Sequence, residues 1–465
     1  MSSEAENRCV QLGFSEPLRD PSDIDLVAHN SPDWSEWDGG KIGGSPSWLN
    51  PEDLPKGAPL RCKVCARRNA ESGADIQEGT LLRFIAQIYS PADSETGNDN
   101  AFHRSLYVFC CPNKHCSSAE NAHESVVVLR GQLPRLNKFY PSQCHNEIDG
   151  WGKHKSNAWN IDTCVICGQR STGRCPLSDQ YFCCKQHQSD YNKARKKKIA
   201  HDDVDLSPYR FVESELVVEE EPSESSSGVD EIAAAEKINE SSLFADDPEH
   251  SEGDELLEQS DLNQMTMTGS TTGTVDPVTV WFYTRVGRAD GDVKGQCLRY
   301  CRWEECPDEY DEDEQDYGPL WISSSNQPSV EKDIPRCESC GSKRKFEFQI
   351  MPQIINFMKS NDIDEKTHNE LILTEEGKRA LMAASDIVDK AKEEGTADTL
   401  PDNFQQKQED LVEKFRSNLL RDDKEEALDF GTIAVYSCTA SCEDFADESF
   451  GAYHKEYAWR QKPLE

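Results

Sequence analysis

The chain has 465 residues, with 50 Lys and Arg against 87 Asp and Glu, and its formal net charge is −37. This charge opposes nucleic-acid phosphates as the main ligand and favours a basic partner. No apolar run approaches the roughly 18 residues that span a bilayer, so no membrane partner is expected. The length favours two or three folded units with linkers.

The cysteine content indicates metal binding. The chain contains 19 cysteines, several in Cys-x2-Cys pairs, and its first residues lack the basic and then apolar pattern of a secretory signal. We therefore expect a cytoplasmic protein, with nuclear shuttling as a second option, whose cysteines are thiolate ligands of Zn²⁺ rather than disulfides. The alternative interpretation is that they are buried free thiols.

Residues 1–150 are predicted to form an N-terminal β half with one zinc site. Its predicted ligands are Cys62, Cys65, Cys116 and either Cys110 or Cys111. Adjacent strand residues face opposite ways, so only one of the last two can serve. Cys111 is favoured because its loop to Cys116 is the shorter one.

A small zinc finger is predicted over 160–201. Its signature is Cys-x2-Cys followed by Cys-x3-His, with the second pair entering a helix, and this spacing is a strong zinc signal. The predicted ligands are Cys164, Cys167, Cys183 and His187. Cys175 and Cys184 are left without an assigned metal role.

An acidic, disordered linker is predicted over 202–275. Residues 202–262 contain 21 Asp or Glu against Arg210 and Lys237, and few aromatic residues, a composition that does not support a packed core. A second acidic run over 304–316 has nine carboxylates. It is predicted to be a loop, because so many like charges repel one another in a packed strand.

Residues 276–465 are predicted to form a C-terminal β half, interrupted by a helical insertion over 360–426. Alternating apolar residues over 345–350 and the segment 432–437 predict two strands. Their ends would meet at a zinc-ribbon-like clip with the ligands Cys337, Cys340, Cys438 and Cys442.

The two β halves carry the same motifs in the same order. Each has Pro-x-Trp, Cys-x2-Cys, Phe-x2-Gln-Ile and a strand ending in cysteine, starting from Pro46 in the first and Pro319 in the second. Such agreement is improbable by chance and indicates two copies of one unit. The predicted fold class is α+β, mainly β: two related zinc-ribbon-like β halves packed together, with the finger between them.

The finger resembles a MYND finger, whose usual form interleaves two zinc sites. Thr172 stands where the second site would need a cysteine. His201 is the only later histidine available to that site, and no cysteine follows it nearby. The resemblance therefore implies one zinc in this finger.

Further motifs carry a resemblance of the whole chain, over about 1–201 and 276–465. They are Leu12-Gly13-Phe14, 43–49, 101–104, 132–135, 318–321, 333–337, 346–353 and 430–432. On these motifs the chain resembles the programmed cell death protein two family, which includes a yeast factor required for 20S rRNA processing.

The resemblance implies a dedicated chaperone for a basic small-subunit ribosomal protein, eukaryotic small-subunit protein two, and a role in 40S ribosome biogenesis. The acidic charge agrees with a basic client. We expect a monomer without enzymatic activity, because the Cys and His residues are explained as ligands and neither a P-loop nor H-E-x-x-H occurs.

Two other functions stay open. The chain could be a transcription or chromatin adaptor that recruits peptides through the MYND-like finger. It could also be an RNA-binding factor, but direct nucleic-acid binding has only the basic cluster Lys193 and 195–198 in its favour. That cluster is also explained as a solvated helix face or a nuclear-import signal.

Overall fold

A computed structural model describes much of the chain. The described residues are 10–17, 40–56, 60–72, 78–139, 162–196, 204, 206, 208–222, 277–286, 296–301, 318–358, 428–443 and 450–463. The predicted helical insertion over 360–426 and the acidic run over 304–316 lie outside them, as do residues 223–275 of the predicted linker.

The described part is mainly β. Its strands are β1 Val10–Pro17, β2 Gly40–Ile42, β3 Arg83–Tyr89, β4 His103–Cys110, β5 Val126–Leu133, β6 Gly173–Cys175, β7 Gln180–Phe182, β8 Ser214–Glu220, β9 Gln296–Cys301, β10 Arg344–Ile350, β11 Ile433–Cys438 and β12 Tyr453–Arg460.

The described helices are short. They are α1 Lys63–Glu71, α2 Asp93–Thr96, α3 Lys185–Lys196, α4 Pro277–Val286, α5 Val330–Asp333 and α6 Ile354–Met358. None of these helices has the length and apolar character needed to cross a membrane.

Ten strands form one closed antiparallel barrel, in the order β1-β8-β2-β3-β4-β5-β12-β11-β10-β9, and β9 pairs with β1 to close it. Strands β6 and β7 form a separate two-stranded sheet. Closure leaves no unpaired edge on the barrel, which removes the usual site of strand-to-strand aggregation.

The barrel interior is filled with apolar side chains. One buried cluster collects residues from strands around the whole sheet, including Leu106, Val128, Leu298 and Ile433. Both faces of β4 are buried, because Tyr107 and Phe109 pack outward against a second apolar layer. A small barrel filled by its own side chains is a packed core rather than a pore.

Strand β8 lies inside the segment that was predicted to be a disordered linker. Residues 202–275 were expected to be disordered, yet Ser214–Glu220 pair along β1 and also contact β2. Leu216 enters the interior cluster, and Glu221 just beyond the strand accepts ion pairs from Arg285 and Arg299. Burial of one face and pairing on both edges outweigh the repulsion among the carboxylates.

The arrangement of the two β segments also differs from the expectation. They were expected to be two ribbon-like units packed on each other, but β5 pairs directly with β12, so the strands of both ends share one hydrogen-bonded barrel. The seam is antiparallel, with Gly131 opposite Tyr453 and Val128 opposite Glu456.

Two glutamines make matching contacts on opposite sides of this seam. Gln87 Oε1 accepts a hydrogen bond from the Ser47 backbone N–H at 2.9 Å, and Gln349 Oε1 accepts one from the Leu320 N–H at 2.6 Å. A register shift precedes each glutamine, between Phe84 and Ala86 in β3 and between Phe346 and Phe348 in β10. Each glutamine thereby satisfies the backbone of its own Pro-x-Trp segment.

Candidate metal centres

Three groups of four Cys or His residues lie together in the described part of the chain, and within each group the ligand atoms are all within 4.8 Å of one another. The first contains Cys62, Cys65, Cys111 and Cys116, the second Cys164, Cys167, Cys183 and His187, and the third Cys337, Cys340, Cys438 and Cys442. These are the twelve residues that the spacing singled out. None of the cysteines in the described part of the chain forms a disulfide.

The first group lies in the apolar layer outside β3 and β4. Cys62 caps the N-terminus of α1, and its Sγ accepts a hydrogen bond from the Cys65 N–H at 3.4 Å. Cys111 directly follows β4, and Cys116 ends a short 3-10 turn. The cap, the strand end and the turn thus present all four sulfur atoms to one buried point.

The sulfur atoms of this group are close and negatively polarised. Cys65 Sγ lies 3.4 Å from Cys116 Sγ and 3.7 Å from Cys111 Sγ, and it accepts a hydrogen bond from Asn113 Nδ2 at 3.2 Å. Hydrogen bonding by Cys111, then by Cys116, holds the pKa of Cys62 and Cys65 below the usual thiol value. These contacts therefore favour thiolates at Cys62 and Cys65, while hydrogen bonds with Cys116, Cys62 and Cys65 raise the pKa of Cys111.

The side chains of Cys110 and Cys111 point in opposite directions at the end of β4. The Cys110 side chain joins the interior barrel cluster, and burial raises the pKa of its thiol to about 11. Cys111 faces the other way and belongs to the thiol group. The alternation of strand side chains accounts for the difference.

The second group is built by the finger. Cys164 and Cys167 lie in a tight turn closed by the Gly168 N–H to Cys164 carbonyl hydrogen bond of 2.8 Å. Cys183 follows β7, and His187 lies in the first turn of α3. The His187 Nδ1 atom approaches Cys183 Sγ at 3.3 Å and Cys164 Sγ at 3.5 Å. All four side chains are buried.

The remaining thiols of the finger lie outside any described group of metal ligands. Cys175 ends β6, and a hydrogen bond with Ser178 lowers its pKa to about 7. Thr172 donates its hydroxyl to the Cys183 carbonyl at 3.1 Å. In this finger Thr172 therefore supports the backbone of a ligand instead of contributing one.

The finger is fastened to the barrel through its first turn. Trp48 Nε1 donates to the Gly168 carbonyl at 2.7 Å, and the Leu60 N–H donates to Gln169 Oε1 at 3.0 Å. Gly168 has a φ of +65°, and a Cβ there would lie 2.8 Å from Ser45 and Pro46. Glycine is thus required both by the backbone conformation and by the contact.

The third group lies where β10 and β11 meet the loop that follows β11. Cys337 Sγ is 3.6 Å from Cys442 Sγ, and Cys340 Sγ is 3.5 Å from Cys438 Sγ. In contrast to the other two groups it reaches the surface, because Cys340 is exposed and Cys442 is half-buried.

Charged side chains inside one end of the barrel hold the loop of the third group. Glu456 Oε2 accepts from the Cys438 N–H and from Arg344 Nε, both at 3.1 Å, and Glu456 Oε1 accepts from Arg130 Nε at 2.7 Å. Arg130 also donates to the Cys442 carbonyl at 3.0 Å. Removing any one of these buried charges would leave an oppositely charged partner buried and unpaired.

The three groups fit a tetrahedral metal ion. Zn–S bonds of about 2.3 Å in tetrahedral geometry place the sulfur atoms roughly 3.8 Å apart, and the S···S distances of 3.4 to 3.9 Å found in the three groups are close to this value. Thiolate and imidazole are also the donors that soft divalent metals prefer. Each group offers four candidate ligand atoms, the number that a tetrahedral ion takes.

Sequence reasoning did not find the residues that support the ligands. Asn113 donates to a ligand sulfur, and Arg460 donates to the Ser125 hydroxyl at 2.7 Å and approaches the Cys111 carbonyl at 3.4 Å. Asn113 could have been found from its position between two ligands. Arg460 carries no sequence signal, since only the pairing of the last strand brings it there.

The fold and the three groups together define a class: a closed antiparallel β-barrel protein with three cysteine-rich groups that could each hold a metal ion. Within that class, residues 9–147 match the family model "Programmed cell death protein 2, N-terminal domain", and residues 280–379 match "Programmed cell death protein 2, C-terminal putative domain". The chain belongs to the programmed cell death protein 2 family.

Curated relatives match along most of the chain. It is 31% identical over 358 residues to programmed cell death protein 2 of Bos taurus, covering 73% of this chain and 86% of the relative. The mouse protein is 31% identical over 368 residues, covering 73% and 87%, and mouse programmed cell death protein 2-like is 26% identical over 357 residues, covering 71% and 82%. No solved structure matches the chain.

Proposed function

We propose that this protein is a dedicated, non-enzymatic chaperone that binds a basic small-subunit ribosomal protein and supports 40S ribosome biogenesis. The client is eukaryotic small-subunit protein two, as the family resemblance implies. The chaperone acts as a monomer in the cytoplasm and accompanies its client toward the nucleus. It shields Lys- and Arg-rich segments that would otherwise meet RNA too early.

The observation that carries this proposal is the distribution of charge. The net charge is −37, while the most buried carboxylates, Glu347 and Glu456, are already paired with arginines inside the barrel. The excess of negative charge therefore lies outside the core. Strand β8 ends in exposed Glu219 and Glu220, just before the acidic segment 223–275. Such a surface attracts a cationic protein over long range.

The barrel limits where a client can bind. Its interior is filled by the apolar cluster around Leu106 and Ile433, so an extended client segment cannot pass through it. We place the client on the outer surface of the barrel, close to the acidic segments. This placement predicts binding that weakens as ionic strength rises.

The test is recovery of the partner from native cells at low salt, followed by mass spectrometry and measurement of stoichiometry. A small-subunit ribosomal protein at one copy per chain is expected. Recovery of chromatin or transcription proteins instead would favour the adaptor function, and recovery of RNA that survives protease treatment would favour an RNA-binding factor. Either result would overturn the chaperone.

Two charge variants sharpen this test. Changing the nine carboxylates of 304–316 to amides should weaken capture of a basic client at least ~10-fold, since long-range attraction scales with charge. The matched control changes Lys193, Arg195 and Lys196 of α3 to Gln. That control should leave capture unchanged, whereas an RNA-binding factor would lose its ligand through it.

We assign Zn²⁺ to all three centres, because tetrahedral sites rich in thiolate are typical of structural zinc. When bound, the metal would offset part of the thiolate charge and hold together the segments that carry the four ligands of each site. Three zinc ions per chain are expected from elemental analysis of protein purified without added metal. One or none would contradict the assignment.

We also propose that the two β segments are copies of one unit and that the finger is a MYND-type finger reduced to one zinc. The matching Gln87 and Gln349 contacts and the register shifts before them support duplication. One residue supports the reduction to a single zinc. Thr172 stands where a MYND finger would have a cysteine of the second zinc site, and its hydroxyl donates to the Cys183 carbonyl. Elemental analysis of the isolated C183S variant should show two zinc ions per chain.

A further inference from the structure

The third centre differs from the other two in its access to solvent. All four ligands of the first and second centres are buried, but in the third Cys340 is exposed and Cys442 is half-buried. Metal-bound thiolates remain nucleophiles, and oxidation of cysteine follows thiolate character and exposure. A small oxidant can therefore reach this centre directly, while the barrel and finger cover the others.

Two pairs of sulfur atoms are the closest in the third centre, ahead of Cys438 Sγ and Cys442 Sγ at 3.9 Å. Cys337 Sγ and Cys442 Sγ are 3.6 Å apart, and Cys340 Sγ and Cys438 Sγ are 3.5 Å apart. A disulfide needs about 2.0 Å between sulfur atoms, so each pair closes with a movement of about 1.5 Å. No third thiol is needed.

We propose that the third centre is a reversible oxidation site that releases its metal when a peroxide oxidises Cys337–Cys442 and Cys340–Cys438 to disulfides. In the first step the exposed Cys340 thiolate attacks a peroxide oxygen, giving a sulfenic acid and hydroxide. The Cys438 thiolate then attacks that sulfur and expels a second hydroxide.

The second pair reacts in the same way. Together, four thiolates and two hydrogen peroxide molecules give two disulfides and four hydroxides. The divalent metal leaves because a disulfide sulfur is no longer a thiolate ligand. A dithiol reductant and added metal reverse the change.

Ser441 couples the loop that follows β11 to strands β4 and β5. Its carbonyl accepts hydrogen bonds from Asn98 Nδ2 and Gln132 Nε2, both at 2.9 Å, and its hydroxyl accepts one from Arg104 Nε at 3.1 Å. Ser441 is fully buried with a φ of +40°. A metal bound by Cys438 and Cys442 would hold Ser441 against the strand ends of β4 and β5, and loss of that metal on oxidation would loosen the contact.

The first experiment titrates the full, metal-loaded chain with hydrogen peroxide. Metal release is followed with a chromophoric chelator, and disulfides are mapped by mass spectrometry after alkylation of free thiols. We expect one metal per chain to leave at least ~10-fold faster than the other two, together with the disulfides Cys337–Cys442 and Cys340–Cys438. Adding dithiothreitol and Zn²⁺ should restore the starting state.

Two outcomes would overturn the proposal: release of all metals at one rate, or first oxidation at a cysteine of the first two centres. The disulfide map does not depend on which metal is bound or on the identity of the client, so its failure is distinguishable from failure of the proposed function.

A matched pair of loop variants tests the coupling. Ser441→Ala removes the hydroxyl contacts with Arg104 and with Gln132 Oε1. It should speed peroxide-driven metal release from the third centre about 5-fold, with faster hydrogen exchange at 98–104 and 130–133. Thr439→Ala removes only the hydroxyl bond to the Lys343 carbonyl at the surface and should change neither rate. Equal behaviour of the two variants would show that Ser441 does not hold the loop to the barrel.

Discussion

The Arg104–Glu347 ion pair joins strands that lie 243 residues apart in the chain, through hydrogen bonds of 2.6 and 2.9 Å. Burial opposes the charge on Glu347, but Arg104 and the hydroxyls of Ser90 and Ser437 hold its pKa below the usual value. This carboxylate therefore stays ionised inside the barrel and ties the N-terminal strands to the C-terminal ones.

Glu347→Gln should destabilise the barrel by about 3–5 kcal/mol, because it leaves the Arg104 guanidinium buried without a counter-charge. The measurement is the urea midpoint of unfolding with excess metal present. Glu52→Gln, which breaks the exposed pair with Lys138, is the control and should change stability by less than about 1 kcal/mol. Equal effects of both changes would contradict the role assigned to the buried pair.

His454 makes stability depend on pH. Burial, and then the nearby Arg130 charge, lower its pKa to about 3. Protonation therefore favours the unfolded chain. The contribution of neutral His454 to the free energy of unfolding is complete above pH 6.5 and is lost as the pH falls toward 3. Burial likewise lowers the pKa of His103 to about 4.

Each of these histidines should lower the free energy of unfolding by about 1.4 kcal/mol when the pH falls from 7.5 to 5.5. His454→Leu should remove its share, which is measured as a smaller drop in the free energy of unfolding between the two pH values. Wild type and variant are compared at saturating metal, so both share the contribution of the ligand thiolates. An unchanged drop would show that His454 does not stay neutral in the fold.

Cysteine positions illustrate how far single residues could be predicted. Spacing alone brought the twelve ligand candidates together, and strand alternation separated Cys111 from Cys110. The supporting residues could not be predicted in this way. Ser441 and Arg460 act through contacts with strands hundreds of residues away, and nothing local in the sequence records such a contact.

At the scale of elements, the finger combines four ligands with two other thiols. Cys183→Ser should remove one metal per chain, because a hydroxyl is a poor replacement for a thiolate ligand. Cys184→Ser and Cys175→Ser should keep the full metal content, measured by elemental analysis. Loss of metal in the Cys184→Ser variant would mean that the finger uses a different ligand set.

Strand β8 shows why the linker was misjudged. Of its seven residues Ser214–Glu220, three are glutamates, so composition indicated solvated chain. The short apolar run 216–218 was the available signal, but its partners β1 and β2 are separated from it by some 170 to 200 residues. Pairing across that distance is decided by the closed sheet and not by local preference.

Two apolar residues of β8 that differ in burial allow a direct test. Leu216 is 4% exposed and packs inside the barrel, whereas Val218 is 38% exposed. Leu216→Asp should lower the free energy of unfolding by more than about 3 kcal/mol, since it buries a charge. Val218→Asp should change it by less than about 1 kcal/mol, and the urea midpoints of the two variants decide between them.

At the scale of the whole molecule, the sequence predicted a mainly β protein but not its closure. The repeat indicated two related segments, and two independent ribbons were the simplest arrangement of them. In the barrel the two segments instead meet directly at β5 and β12, and β1 and β8, which belong to neither set of repeated motifs, lie between β9 and β2. Sheet order depends on which edges meet in space, and the motifs describe only what each segment contains.

The seam between β5 and β12 also has a consequence for biosynthesis. Arg130 and Glu456, which pair across it, are 326 residues apart, so at 5–20 residues per second the ribosome needs roughly 16–65 s to deliver the second after the first. During that interval β5 has an unsatisfied edge, and β3 and β4 have no closed interior. A protein proposed to protect a nascent ribosomal client therefore leaves its own early strands unprotected until β12 has been translated.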